Sequence, residues 1–228
     1  MKLPPKRSTA NSNHTLHWQP FFSPKAGIDL PVLTARGPLV VEYLHRTYEV
    51  FERALEVHSK VIVCCFTLTL PHGITLPEDI ESNGPIVRFI ASAKSKVRAD
   101  LKRKGSPHKC PVRYVIAREM SGNGRTHYHV VLLVNGHVYR TVGTIDYEGI
   151  NLFWMVAEAW ASALRIELVE AVTRVKTGNR HSKLSYYFLT RESGQANLDD
   201  AFRRASYLCK RDTKQFGDRY RGLLTSEI

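Results

Sequence analysis

Arg118–Val134 reads REMSGNGRTHYHVVLLV, a polar turn followed by two histidines that open a run of aliphatic residues. Val130-Val131-Leu132-Leu133-Val134 is β-branched and aliphatic enough for a buried strand, and Val112–Glu119 ahead of it has the same character. Gly122-Asn123-Gly124 between them is turn chemistry, because Asn and Gly accept positive φ at low cost. The stretch therefore predicts a β-hairpin, and side chains that alternate faces along a strand put His127 and His129 on the same side. Two imidazoles on one face at a strand end can grip one metal ion. Register decides whether an acid joins them. Pairing Glu119 with His127, centred on Asn123, sets the carboxylate across from the first imidazole. A tight turn at Asn123-Gly124 would pair Glu119 with Tyr128 and turn it to the other face. Two nitrogens and a carboxylate oxygen suit Mg²⁺, Mn²⁺ or Zn²⁺ and leave positions open for substrate. A surface hairpin with solvated histidines is the alternative reading.

Outward from the hairpin, the preceding segments alternate between the two periods. Val40, Tyr43, Leu44, Tyr48, Phe51 and Leu55 recur at three and four residues and predict a helix over 38–58. Lys60–Pro71 (KVIVCCFTLTLP) predicts a central strand that ends at the proline. Ile86, Phe89, Ile90, Ala93, Val97 and Leu101 predict a helix over 85–104, whose other face is Arg88, Lys94, Lys96, Arg98 and Lys102. That stripe is either a solvated face or a phosphate-contacting one. After the hairpin, 151–165 reads as a helix with Trp154 and Trp160 in the core, and 166–176 as an alternating strand before a Gly178-Asn179 turn. Ser182–Thr190 reads as another strand and Leu198–Lys214 as a closing helix. This order predicts a single α+β domain with a central, mostly antiparallel sheet covered by helices. Residues 1–35, with Pro4, Pro5, Pro20, Pro24 and Pro31, read as an arm or irregular lead-in that Phe21 and Phe22 would anchor.

The totals narrow the partner. Lys plus Arg outnumber Asp plus Glu by 33 to 21, a net charge of +12, which favours a polyanion through steering and counterion release. Nucleic acid leads, although a ribosomal or membrane surface would draw the same charge. No apolar run approaches the ~18 residues of a membrane span, and no leader is visible, so a cytoplasmic setting is expected. Cys64, Cys65, Cys110 and Cys209 lack a metal-binding spacing and read as reduced, structural thiols.

On a helical wheel of 199–214, Ala201, Phe202, Ala205, Leu208 and Cys209 share one side. Tyr207 falls opposite, with Arg203, Lys210, Arg211 and Lys214 on its own face. An amphipathic surface tyrosine lying on lysine stems is one reading. A nucleophile is the other, since neighbouring cations favour the phenolate.

These pieces, Phe66-Thr67-Leu68-Thr69-Leu70-Pro71, His127-Tyr128-His129 and Tyr207-Leu208-Cys209-Lys210, resemble the three motifs of the HUH endonucleases, which initiate rolling-circle replication. The spacing from Glu119 to His127 is similar to that of geminivirus initiators, and the wording AREM and YLCKRDTK looks closest to inovirus and prophage initiator-like proteins of the YagK/YfjJ type. The resemblance covers roughly 61–222, within a domain taken as 36–228, and implies a ferredoxin-like, HUH-type fold. It further implies a divalent ion, Mg²⁺ or Mn²⁺, on Glu119, His127 and His129, with Tyr207 attacking a phosphate of single-stranded DNA or an origin hairpin and Lys210 orienting that phosphate. Arg203, Arg211 and Lys214 would contact the DNA, and a host helicase and polymerase would follow. No second tyrosine lies three or four residues from Tyr207; Tyr220 and the pair Tyr186-Tyr187 are the remaining candidates, with core roles as their alternative. A non-catalytic nucleic-acid-binding α+β module is the competing class, and a single-tyrosine transposase or relaxase would keep the chemistry in another setting.

Overall fold

The structure is a computed structural model that describes residues 6–122, 124–143, 150–178, 186–190, 195–214, 216–217 and 219–226. In chain order its strands and helices are β1 (Lys6–Arg7), β2 (Thr15–His17), β3 (Phe21–Lys25), β4 (Ile28–Pro31), β5 (Leu39–Val40), α1 (Val41–Val57), β6 (Lys60–Thr69), α2 (Gly84–Arg103), β7 (Arg113–Met120), β8 (Thr126–Asn135), α3 (Leu152–Leu164), α4 (Leu168–Arg174), β9 (Val175–Thr177), β10 (Tyr186–Thr190), α5 (Gln195–Ser206) and β11 (Leu223–Thr225). A single 3₁₀ turn, Tyr207–Cys209, follows α5 directly.

The α+β expectation holds. The main sheet runs β10-β6-β8-β7-β11, with β9 beside the far end of β6, and every pairing in it is antiparallel. Strand alternation divides its side chains between two cores. Ile62, Cys64, Phe66, Leu68, Ile116, Tyr128, Val130 and Leu132 face α2 and α3, where Trp160 is fully buried against Phe89 and Tyr128. Val61, Val63, Cys65, Val115, Ala117, Val131 and Leu133 face α1 and α5, meeting Phe51, Phe202 and Leu44. The four cysteines are buried and free.

Three segments depart from the expectations. Over 166–176 the chain forms the short helix α4 before the three-residue strand β9, because Leu168, Ala171 and Val172 repeat at helical spacing and Ala171 is the buried contact. The lead-in is built into the fold: Phe21 pairs with Pro31 and Phe22 with Leu30, and Phe22, Leu30 and Val32 join the second core, while Phe21 stays exposed. Gly27, at φ +79°, closes that hairpin. The closing helix ends at Ser206, eight residues short, for reasons that bear on the site. Asn179, and the strand expected from Ser182 up to Tyr186, lie outside the described residues.

The basic stripe of α2 is largely committed within the protein. Arg88 donates to Asp79 and to the Ala163 carbonyl, Lys96 pairs with Glu158 at 2.7 Å, and Lys94 lies 5.4 Å from the Tyr114 ring centre.

Candidate metal and nucleophile site

The register that the metal reading requires is the one that forms. Glu119 pairs with His127 and Met120 with Thr126. The loop is wide: the Ser121 N–H donates to the Arg125 carbonyl and the Gly124 N–H to the Ser121 carbonyl, with Gly124 at φ +76°. Asn123 itself lies outside the described residues.

Glu119, His127 and His129 consequently meet on the α1/α5 side of the sheet, at its open end. Their ligand atoms all lie within 4.8 Å of one another. The Glu119 Oε2 atom is 3.5 Å from His129 Nε2 and 3.9 Å from His127 Nε2. Ligation through Nε2 requires the proton of His129 on Nδ1, and Thr67 Oγ1, 3.2 Å away on the neighbouring strand, is placed to accept it. Burial, opposed by Glu119, pushes the His129 imidazole down to about 3, and burial lowers His127 as well. Both rings are therefore neutral at neutral pH, the form that binds metal.

Burial would raise the Glu119 carboxyl, but Lys214 first, with Lys210 adding to it, outweighs burial and holds the group ionised. Lys214 Nζ donates to Oε1 at 2.7 Å, and Lys210 Nζ stands 4.0 Å from Oε2. A carboxylate with only 1% of its side chain exposed thus has a cation on each side.

The break in the closing helix brings Tyr207 to this cluster. Ser206 is fully buried, its hydroxyl donating to the Arg203 carbonyl and accepting from the Leu33 N–H. Lys210 then turns extended, bridges to Leu39 of β5, and the Arg211 N–H donates to the Pro38 carbonyl. The Tyr207 ring packs edge-on to His129 with centroids 5.2 Å apart, and Lys210 Nζ sits 3.7 Å from its centre. Ala201, Phe202, Ala205, Leu208 and Cys209 are buried as the wheel predicts. The wheel fails beyond 206 for the polar face alone. Lys210 and Lys214 are not on an open basic face but buried against Glu119, so Lys214 is withdrawn from the surface on which a DNA contact was expected. Arg203 is exposed, and Arg211 pairs with Asp212 at 3.2 Å.

Arg204, whose guanidinium lies 5.7 Å from the Tyr207 ring centre, was not singled out from the sequence, although it lies three residues ahead of Tyr207 on a helix. The ion pair of Lys214 with Glu119 had no local signal, since the partners are 95 residues apart. Tyr186 and Tyr187 lie in β10 and pack partly buried against the two cores, and Tyr220 lies over the Arg118 guanidinium at 5.3 Å.

Fold and site together define an α+β protein whose antiparallel sheet carries a Glu-His-His cluster with a tyrosine packed against it. Residues 27–225 match the YagK/YfjJ C-terminal domain, and the chain belongs to that family. It is similar to the Escherichia coli (strain K12) protein YagK, 32% identical over 171 residues that cover 73% of this chain and 74% of YagK. It is also similar to YfjJ of the same organism, 30% identical over 144 residues covering 60% of this chain and 67% of YfjJ. The match begins at residue 27, inside the stretch that reads as a lead-in. No solved structure matches.

Proposed function

We propose that this protein is a metal-dependent HUH-type enzyme that nicks single-stranded DNA and transfers the strand through Tyr207, initiating rolling-circle replication of a phage, prophage or plasmid. The observation that carries the reading is the packing of the Tyr207 ring 5.2 Å from His129, one member of a three-ligand cluster. A solvated hairpin or an amphipathic surface tyrosine gives no reason for that meeting. The net charge of +12 and the family membership are consistent with it.

Two neutral imidazoles and an ionised carboxylate fit Mg²⁺ or Mn²⁺ with positions left over. When bound, such an ion withdraws charge from a non-bridging oxygen of the scissile phosphate. The Tyr207 phenol oxygen then attacks phosphorus. The Tyr–O–P bond forms, the P–O3′ bond breaks, the phenol gives up its proton and the departing 3′ oxygen gains one. The products are a 5′-phosphotyrosine and a free 3′-hydroxyl able to prime synthesis, and attack by a 3′-hydroxyl on the phosphotyrosine reverses the transfer. Lys210, beside the ring, supplies positive charge to the phosphate as it develops.

The test is covalent capture. Single strands tiled from the DNA that encodes the protein are incubated with it and Mn²⁺, and a protein–DNA adduct that survives denaturant is expected. Tyr207→Phe keeps the ring and abolishes the adduct, whereas Tyr186→Phe, Tyr187→Phe and Tyr220→Phe retain it. Phosphotyrosine mapped to one of those three would overturn the assignment of the nucleophile. Absence of any adduct from the folded protein would favour a non-catalytic binder.

A further inference from the structure

We infer that Lys214 is a positioning residue: it holds Oε1 of Glu119, reserves Oε2 for an ion shared with the two histidines, and fastens the Tyr207 turn to the ligand-bearing strand. This rests on the metal-centre reading above and goes beyond it, because that reading gives Lys214 no part in the centre and the sequence suggests for it only a surface contact with DNA.

The two carboxylate oxygens have different surroundings. Oε1 takes the 2.7 Å bond from Lys214, while Oε2 is the atom that faces His129, His127 and Lys210 at 3.5, 3.9 and 4.0 Å. The Lys214 side chain is 0% exposed, so it cannot serve the solvent or a nucleic-acid backbone from this position. Its stem lies in a slot whose other wall is glycine: a Cβ on Gly222 would stand 3.2 Å from Lys214 Cδ and 3.4 Å from Tyr43 Oη. The neighbouring backbone is pinned as well, since the Met120 N–H donates to the Thr213 carbonyl at 3.2 Å and the Arg118 N–H to the Gly222 carbonyl at 3.0 Å. The segment that follows Tyr207 is thereby laid along the outer edge of β7, on the strand that carries Glu119. Lys210 differs, standing over the tyrosine ring without a hydrogen bond to the carboxylate. The two lysines therefore divide the labour: Lys214 orients the ligand, and Lys210 remains next to the position of the phosphate.

Two effects of Lys214 on metal uptake oppose each other, so the sign of the measurement decides between them. Fixing the carboxylate favours binding, and loss of an outer partner of a metal ligand typically weakens affinity ~10- to 100-fold. A buried cation near the ion disfavours it, and on that account alone removal of Lys214 would tighten binding. The fixed slot and the separated oxygens favour orientation as the larger effect.

The experiment is Mn²⁺ titration calorimetry of the full chain, with folding of each variant verified first by circular dichroism. The parent is measured first. Lys214→Met is expected to bind Mn²⁺ at least ~10-fold more weakly, with Lys214→Arg, which keeps a cationic donor, recovering part of the loss. If Lys214→Met does not fold, Lys214→Gln is read by the same criterion. A folded variant that binds within threefold of the parent, or more tightly, overturns the inference and leaves the metal centre standing. A parent that takes up no Mn²⁺ removes the metal centre, and the role of Lys214 with it.

Discussion

Acidification should release a stabilisation that the fold builds into His129. Its side chain is 15% exposed, and burial first, then the charges of His127, Lys214 and Arg204, push the imidazole down to about 3 against the pull of Glu119. In the unfolded chain the same group titrates near ~6.5. The folded value lies below the unfolded one, so the unfolded chain takes the proton first. The contribution is complete above about pH 6.5 and drains away as the pH falls towards 3. At ~1.4 kcal/mol per unit, moving from about pH 7.5 to about pH 5 costs about 2 kcal/mol from this residue alone. His127 and Glu119, both also lowered, act in the same direction, Glu119 at the acid end of the range. Urea unfolding followed by circular dichroism in the presence of a chelator, at several pH values across that span, measures the loss. His129→Gln is expected to lose about 2 kcal/mol less than the parent over the same interval. A variant that loses as much as the parent would refute the assignment of this pH dependence to His129.

Two further outcomes follow from the ion pairs. Glu119→Ala strands the fully buried Lys214 without its counter-charge and should cost about 3–5 kcal/mol in chelator, read from the urea midpoint; a change below about 1 kcal/mol would mean that the pair contributes little. Lys210→Ala, which removes charge beside the tyrosine but not the nucleophile, should slow adduct formation in a quenched time course while leaving its end point intact.

The sequence discloses what depends on local period. The hairpin, the long strand β6 and the helices α1, α2 and α3 follow from apolar spacing, and so does the meeting of His127 with His129. The register of Glu119 was open because two loop lengths fit the same Gly-Asn-Gly, and only the full ladder with β6 and β7 closes one of them. Position 207 was legible as a tyrosine set apart from the apolar face of its helix, but the end of that helix was not. Ser206 stops it by accepting a hydrogen bond from the Leu33 N–H, 173 residues away in a stretch that reads as irregular. Once the helix stops, spacing no longer says where a side chain points, and two lysines that the wheel puts in water go to the carboxylate instead. Leu168–Arg174 reads as a strand because Val169, Val172 and Thr173 suit one by propensity, whereas Ala171 packs as part of a helix.

The tethers on the Tyr207 turn also set an order of events during synthesis. The β7–β8 hairpin, which carries Glu119, His127 and His129, pairs residues close in sequence and can close early. The tyrosine cannot join them until its own turn has been made, and that turn is held by Leu33, Pro38 and Leu39 from near the start of the chain and by Lys214 from near its end. Closing loops of such span is slow relative to the local steps. A nascent chain long enough to gather Glu119, His127 and His129 would therefore still lack both the Tyr207 ring and the counter-ion of its buried acid, and the cluster is completed late in folding.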